Sequence, residues 1–368
     1  MTKLLDLKNN SVIAINQNNY TKEDNYKKVY YLDTDNITNN RINAFLKIDL
    51  TKEKLPSRAK RKCSINSIIY SSVRPNQRHF GIIKEIPKNF LVSTAFIVID
   101  IIDLEKLDPN YLYHYITQDK ITHHLQRIAE CGTSSYPSIT PSDFLNIKIK
   151  LYPLETQQKI ARTLSVLDQK IENNHKINEL LHNLAHKVYE YYFKYKPKNA
   201  KLEQIIIENP KSSIMVKNAQ KTQDKYPFFT SGDNILSYPK AIIDGRNCFL
   251  NTGGNAGIKF YVGKASYSTD TWCIGANEFS DYLYLLLSSI KTHINQSFFQ
   301  GTSLKHLQKN LLKKYPIYMP SAHEIKKFNQ IIMPLLTLTS INTRTSKKLE
   351  QIRDFLLPLL LKQQVKPQ

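Results

Sequence analysis

Residues 152–193 read YPLETQQKIARTLSVLDQKIENNHKINELLHNLAHKVYEYYF. Alternating steps of four and three from Ile160 give Ile160, Leu164, Leu167, Ile171, Asn174, Asn178, Leu181, Ala185, Val188 and Tyr192. A 3.5-residue period of this kind marks a helix that winds on a partner helix. Pro153 stands where a first helical turn tolerates a residue without an N–H. The seam is apolar at both ends and polar in its middle. Downstream of Pro320 the same spacing returns as Phe328, Ile331, Leu335, Leu338, Asn342, Thr345, Leu349, Ile352, Leu356 and Leu359. If the two helices pack antiparallel along their length, Asn174 and Asn178 meet Asn342 and Thr345, and buried amides of this kind fix register. The other possibility is that each helix packs on its own globular domain. Pro334 and Pro358 interrupt the second pattern, and Pro334 predicts a kink or a late start.

Working outward, the flanks repeat as well. Gly81-Ile82 returns as Gly257-Ile258, Ser93-Thr94 as Ser268-Thr269, and Tyr111-Leu112-Tyr113 as Tyr282-Leu283-Tyr284. Gly132-Thr133-Ser134 returns as Gly301-Thr302-Ser303, and Pro153 as Pro320. The offset falls from 176 to 167 residues without a reversal of order, as small loop deletions produce. Each copy begins with short β-branched and aromatic runs, such as Ser67–Val73, Phe90–Ile102 and Asn247–Asn251, broken by Gly, Asn and Pro. The expected fold is α+β: two β-rich domains in pseudo-repeat, joined and separated by two long antiparallel coiled-coil helices. The boundaries expected are residues 1–152 and 197–319 for the β-rich domains, and 153–196 and 320–368 for the helices.

Charge narrows the partners. Lys and Arg number 52 against 31 Asp and Glu, a net charge of +21, and such a surplus concentrates polyanions. No apolar run approaches the ~20 residues of a spanning helix, and MTKLLDLKNN has no apolar segment of signal-peptide type. We therefore expect no membrane partner and a cytoplasmic protein. Cys63, Cys131, Cys248 and Cys273 form no CxxC pair, so neither a zinc site nor a disulfide framework is expected. Catalytic motifs are missing too. Glu208-Asn209-Pro210-Lys211 lacks the second Pro and the aromatic of an amino-methyltransferase motif, and HNLAH at 182–186 lacks the Glu of a zinc protease. Neither a catalytic residue nor a cofactor is expected.

The order β-rich domain, long helix, β-rich domain, long helix resembles the specificity subunit of type I restriction–modification enzymes over nearly the full chain. Residues 152–193 are similar to that family's central spacer helix, and VRPNQRHFGI followed by LVSTAFIVI resembles a target-recognition domain. The second helix, PSAHEIKKFNQ onward, lacks the Gln pair and the Leu-rich turn of the first. The resemblance implies a DNA-recognition subunit without catalytic activity, each domain reading half of a split double-stranded DNA site. It further implies that the helices dock modification (methyltransferase) subunits, with restriction (ATPase and nuclease) subunits in the same assembly. The alternative is a stand-alone sequence-specific DNA-binding adaptor or repressor, which binds its site tightly without partners.

Candidate DNA contacts follow from side-chain chemistry. Lys and Arg meet phosphates; Arg, Asn, Gln and Ser/Thr reach base edges. Arg58, Lys60, Arg61 and Lys62 form a basic run, which a solvated loop would explain equally. Arg74, Asn76, Gln77 and Arg78 follow a strand-like segment, where an ordinary polar turn is the alternative. In the second copy Arg246, Asn251, Asn255 and Lys259 surround Thr252-Gly253-Gly254. That glycine loop lacks the Gly-Lys-Ser/Thr ending of a nucleotide-binding loop. Lys211, Lys217, Lys221 and Lys225 form a ladder that fits phosphates or plain solvation. Thr133, Ser134, Thr302 and Ser303 can donate to phosphates or simply turn the chain.

Overall fold

Short β-branched and aromatic runs in the first copy become four strands, β1 (Ile13–Ile15), β2 (Ile68–Ser71), β3 (Phe80–Ile82) and β4 (Phe96–Ile101). They pair antiparallel in the spatial order β1-β4-β2-β3. β2, and β4 from Phe96 to Asp100, are buried on both faces, which is why their sequences run apolar rather than alternate. A second sheet places Phe90–Ser93 parallel to Lys28–Leu32 and antiparallel to Ala59–Arg61. The computed structural model describes residues 1–132, 136–219, 225–232 and 235–365. It divides the chain into two compact units, Met1–Lys170 with Ile352–Gln368, and Ile171–Gln351.

In the first unit Asp108 accepts from Tyr111 N at 2.8 Å and Pro109 opens helix α1 (Pro109–Ile116). Helix α2 (Asp119–Glu130) follows. Tyr111, Leu112, Leu125 and Phe144 pack with Ile160 and Leu164, from the start of the central helix (Leu154–Phe193). Leu357, Leu360 and Leu361, from the end of the last helix (Ala322–Leu361), complete this core. The Tyr152 hydroxyl donates to the Leu361 carbonyl at 2.8 Å.

The second unit repeats the plan with β5 (Ile207–Glu208), β6 (Arg246–Asn251), β7 (Ile258–Val262) and β8 (Thr271–Gly275). Their order is β5-β8-β6-β7, again antiparallel throughout. Its smaller sheet also holds a parallel pair, Tyr226–Phe229 with Ser266–Tyr267. Helices α3 (Ser280–Ser289) and α4 (Lys291–Ser297) stand where α1 and α2 stand in the first copy. Tyr282, Leu283 and Leu285 pack with Ala185, Tyr189 and Phe193 of the central helix and with Ile325, Phe328 and Ile332 of the last helix. The repeated glycine has a packing reason. A Cβ on Gly81 would lie 2.7 Å from Ile37 Cδ1, and one on Gly257 would lie 2.3 Å from Asn251 Nδ2.

The late start at Pro334 and the expected buried line of the last helix are corrected. It starts at Ala322 and runs unbroken past Pro334 and Pro358, both on its exposed face. The helix therefore does not begin late; packing outweighs the roughly 3 kcal/mol that an interior Pro costs. Its buried line is also displaced. Ile325, Phe328, Ile332, Leu336, Thr339 and Ser346 face inward, while Ile331, Leu338 and Ile352 are 42%, 42% and 47% exposed. Both lines fit the same period, so spacing could not choose between them. Within the second unit, Asn342 Nδ2 donates to Asn178 Oδ1 at 3.0 Å, and Asn178 Nδ2 donates to the Thr339 carbonyl at 3.3 Å. Asn174 Nδ2 donates to Ser346 Oγ at 3.1 Å, so Ser346 takes the place expected for Thr345.

Candidate nucleic-acid interface

The β2–β3 connection in the first unit is a tight turn. Arg74 and Arg78 take left-handed backbone conformations, φ +47° and +57°, on either side of the short 3-10 turn Pro75–Gln77. Such conformations are costly for arginine and persist only where the surroundings enforce them. Gln126 of α2 accepts from Asn76 N at 3.1 Å, and the Pro137 carbonyl accepts from Arg74 N at 2.9 Å. His79 Nδ1 lies 2.5 Å from the Ile37 carbonyl. The backbone is thus held while the Asn76 and Gln77 side chains stay exposed. Arg78 pairs with the exposed Asp119 at 2.9 Å, a surface contact worth little against a competing phosphate.

Val73 bridges Ser138, which brings the turn beside the segment that leaves α2. Thr133 and Ser134 lie outside the described residues. The second copy makes the same juxtaposition. Gly253 bridges His306, Gly254 N donates to the Lys305 carbonyl at 2.9 Å, and Leu307 N donates to the Thr252 carbonyl at 3.0 Å. Asn255, Thr302, Ser303, Lys305 and His306 are all exposed there. Sequence reading missed Lys305 and His306. The sequence signal was available: a basic pair one residue after the repeated Gly-Thr-Ser.

Other candidates meet partners within the chain. Arg246 points at the last helix. Its guanidinium meets the Asp281 carboxylate at 2.5 Å, Thr337 Oγ1 at 3.0 Å and the Met333 carbonyl at 3.2 Å. Asn251 is buried and donates to the Asn255 carbonyl at 3.1 Å; Lys259 Nζ donates to the Thr230 carbonyl at 2.8 Å and Asn251 Oδ1 at 3.2 Å. These two shape the glycine loop rather than extend from it. Arg61 donates to the Thr94 carbonyl at 3.1 Å, and Lys62 pairs with Asp24 at 2.6 Å. Ala59–Arg61 is a strand, so its side chains alternate, leaving Arg58 and Lys60 exposed. Of the lysine ladder, Lys221 lies outside the described residues, whereas Lys217 and Lys225 are exposed.

Among the described residues no group of three or more His, Cys, Asp or Glu could hold a metal ion, and no helix is long and apolar enough to cross a membrane. All four cysteines are free. His182, half-buried, lies 3.2 Å from the Tyr284 hydroxyl, and burial pushes it down from the usual imidazole range.

Comparison with known proteins agrees with this duplicated plan. The family described as Type I restriction modification DNA specificity domain matches residues 6–183 and again 198–351. The HindI specificity subunit of Haemophilus influenzae is 30% identical over 169 residues, covering 46% of this chain and 36% of that relative's length. The MjaIX specificity subunit of Methanocaldococcus jannaschii is 24% identical over 308 residues, 71% of this chain and 70% of the relative. In fold, the chain is similar to the type I S subunit from M. genitalium, with a TM-score of 0.56 at 15% identity over 98% of this chain and 95% of that one.

Proposed function

Because the chain belongs to the type I restriction modification DNA specificity family and carries its domain twice, we propose that it reads a two-part duplex DNA site, one half with each copy. The observation that carries this is the loop pair built twice: residues 72–79 beside 136–139, and residues 252–257 beside 301–307. Asn76, Gln77 and Asn255 offer amides for base edges. Arg58, Lys60, Arg78, Lys305 and the Thr302-Ser303 hydroxyls meet phosphates. The net charge of +21 supplies the sequence-independent attraction.

The protein acts as the non-catalytic, cytoplasmic member of a larger assembly. Modification subunits dock on the helices, and restriction subunits join through them. Ile177, Leu180 and Leu184, at 40%, 68% and 48% exposure, form an apolar stripe on the central helix that supports this docking. The domain plan is residues 1–152 and 197–319 for reading, 153–196 and 320–368 for spacing and docking. Selection of bound duplexes from a random library, with the full chain alone and with its modification subunits, tests the reading. A motif of two short conserved blocks around an unread gap is expected, bound more tightly in the assembly. A single uninterrupted block bound equally well without partners would point to a stand-alone adaptor.

A further inference from the structure

Arg61, Arg78, Arg246 and Arg353 each meet a carboxylate or a backbone carbonyl. Arg74 makes no ion pair among the described residues. Its guanidinium carbon instead lies 5.2 Å from the centre of the Tyr136 ring, and that ring is 65% exposed. Tyr136 comes from the segment after α2, and Arg74 from the β2–β3 turn, so the pair forms only because the two loops are bridged at Val73 and Ser138. An arginine at φ +47° costs backbone energy, and here it stands against an exposed aromatic ring. Both lie at one spot, beside the exposed amides of Asn76 and Gln77.

We infer that Arg74, stacked on Tyr136, reads a guanine in the half-site of the first copy, and that Tyr136 is the residue that positions it. This rests on the DNA-reading function proposed above. A planar guanidinium presents two parallel donors that match guanine O6 and N7, and an aromatic face restrains its plane without consuming those donors. The second copy has glycines in the matching turn and is therefore expected to read its half-site without such a pair.

Library selection with the full chain and three variants tests this. Arg74→Asn removes the guanidinium while retaining a residue that accepts the left-handed backbone. It should lower the preference for guanine at one position of one half-site by about 5- to 150-fold and leave the other half-site unchanged. Tyr136→Ala should lower the same preference by about two- to fivefold, and Tyr136→Phe should keep it. A wild-type split motif that persists in Arg74→Asn and Tyr136→Ala would overturn the inference and leave the proposed function standing. Equal weakening at every sequence would reduce Arg74 to a phosphate contact and overturn it too. A wild-type chain that selects no motif would overturn the proposed function and the inference together.

Discussion

Asp281 is 1% exposed, and its carboxylate survives there because Arg246 answers it with two nitrogens at 2.5 Å. Burial pushes the carboxyl up, and the guanidinium pulls it back down. Removing one partner of such a pair strands the other, a loss of about 3–5 kcal/mol. Arg246→Ala should therefore lower the thermal midpoint sharply, and DNA binding should fail with folding. A variant that keeps its stability while losing DNA affinity would return Arg246 to the interface. His114 offers a pH test. Burial pushes its imidazole down to about 4, against the pull of Asp168 3.9 Å away. The folded protein thus keeps the ring neutral while the unfolded chain protonates it below about 6.5. This contribution is harmless above pH 6.5 and destabilises progressively as pH falls toward 4, by about 2 kcal/mol at pH 5. Leu285 fills the matching position of the second copy, fully buried. His114→Leu should flatten the wild-type fall in stability between pH 7.5 and pH 5, measured by denaturant unfolding. Parallel curves for the two proteins would exclude this origin.

At the scale of the helices, the polar centre is a device of register. Asn178 and Asn342 answer one another, and Asn174 answers Ser346, within a seam otherwise held by apolar contacts in the second unit. Asn178→Leu alone leaves the Asn342 amide without this acceptor and should cost about 1–3 kcal/mol. Adding Asn342→Leu should recover most of that loss, because two apolar residues replace a satisfied pair at little cost, while helix register loosens. Thermal unfolding of both variants decides it, and additive losses would refute the coupling. The seam also marks what periodicity can and cannot read. The central helix matched its seam because Ile160, Leu164, Ile171, Asn174 and Ala185 are buried. The last helix is apolar on more than one face, with Ile331, Leu338 and Ile341 exposed beside Ile332, Leu336 and Ser340 buried. Two lines one residue apart share the same period there, the buried one carrying Thr339 and Ser346 where the expected one has Leu338 and Thr345, and only the partner surface chose between them.

At the scale of the whole chain, the compact units divide inside both long helices, at residues 170/171 and 351/352, rather than at helix ends. The first copy's core is finished by Leu357, Leu360 and Leu361, more than 250 residues beyond the end of its own sheet at Ile101. Exchanging residues 1–150 for the matching domain of a relative should preserve the half-site read by residues 200–320. It should do so best when the relative's last turns come too, since Tyr111, Leu112 and Phe144 share one core with Leu357, Leu360 and Leu361. Methylation mapping of an assembled chimaera checks this; loss of both half-sites in a folded assembly would refute independent reading.

The sequence by itself determined the duplication, the long helices and the α+β class. Those are written in periodicity and in the ordered return of short motifs, which survive because each Gly, Pro and Tyr answers a local need of the backbone or core. The tertiary structure decided the rest. It placed residues 72–79 against 136–139 and 252–257 against 301–307. It turned Arg246 inward to Asp281 and left Arg74 on Tyr136. A side chain's charge is fixed by its residue type, but whether that charge meets a carboxylate, an aromatic ring or open solvent depends on segments distant in the chain, and no local pattern records that.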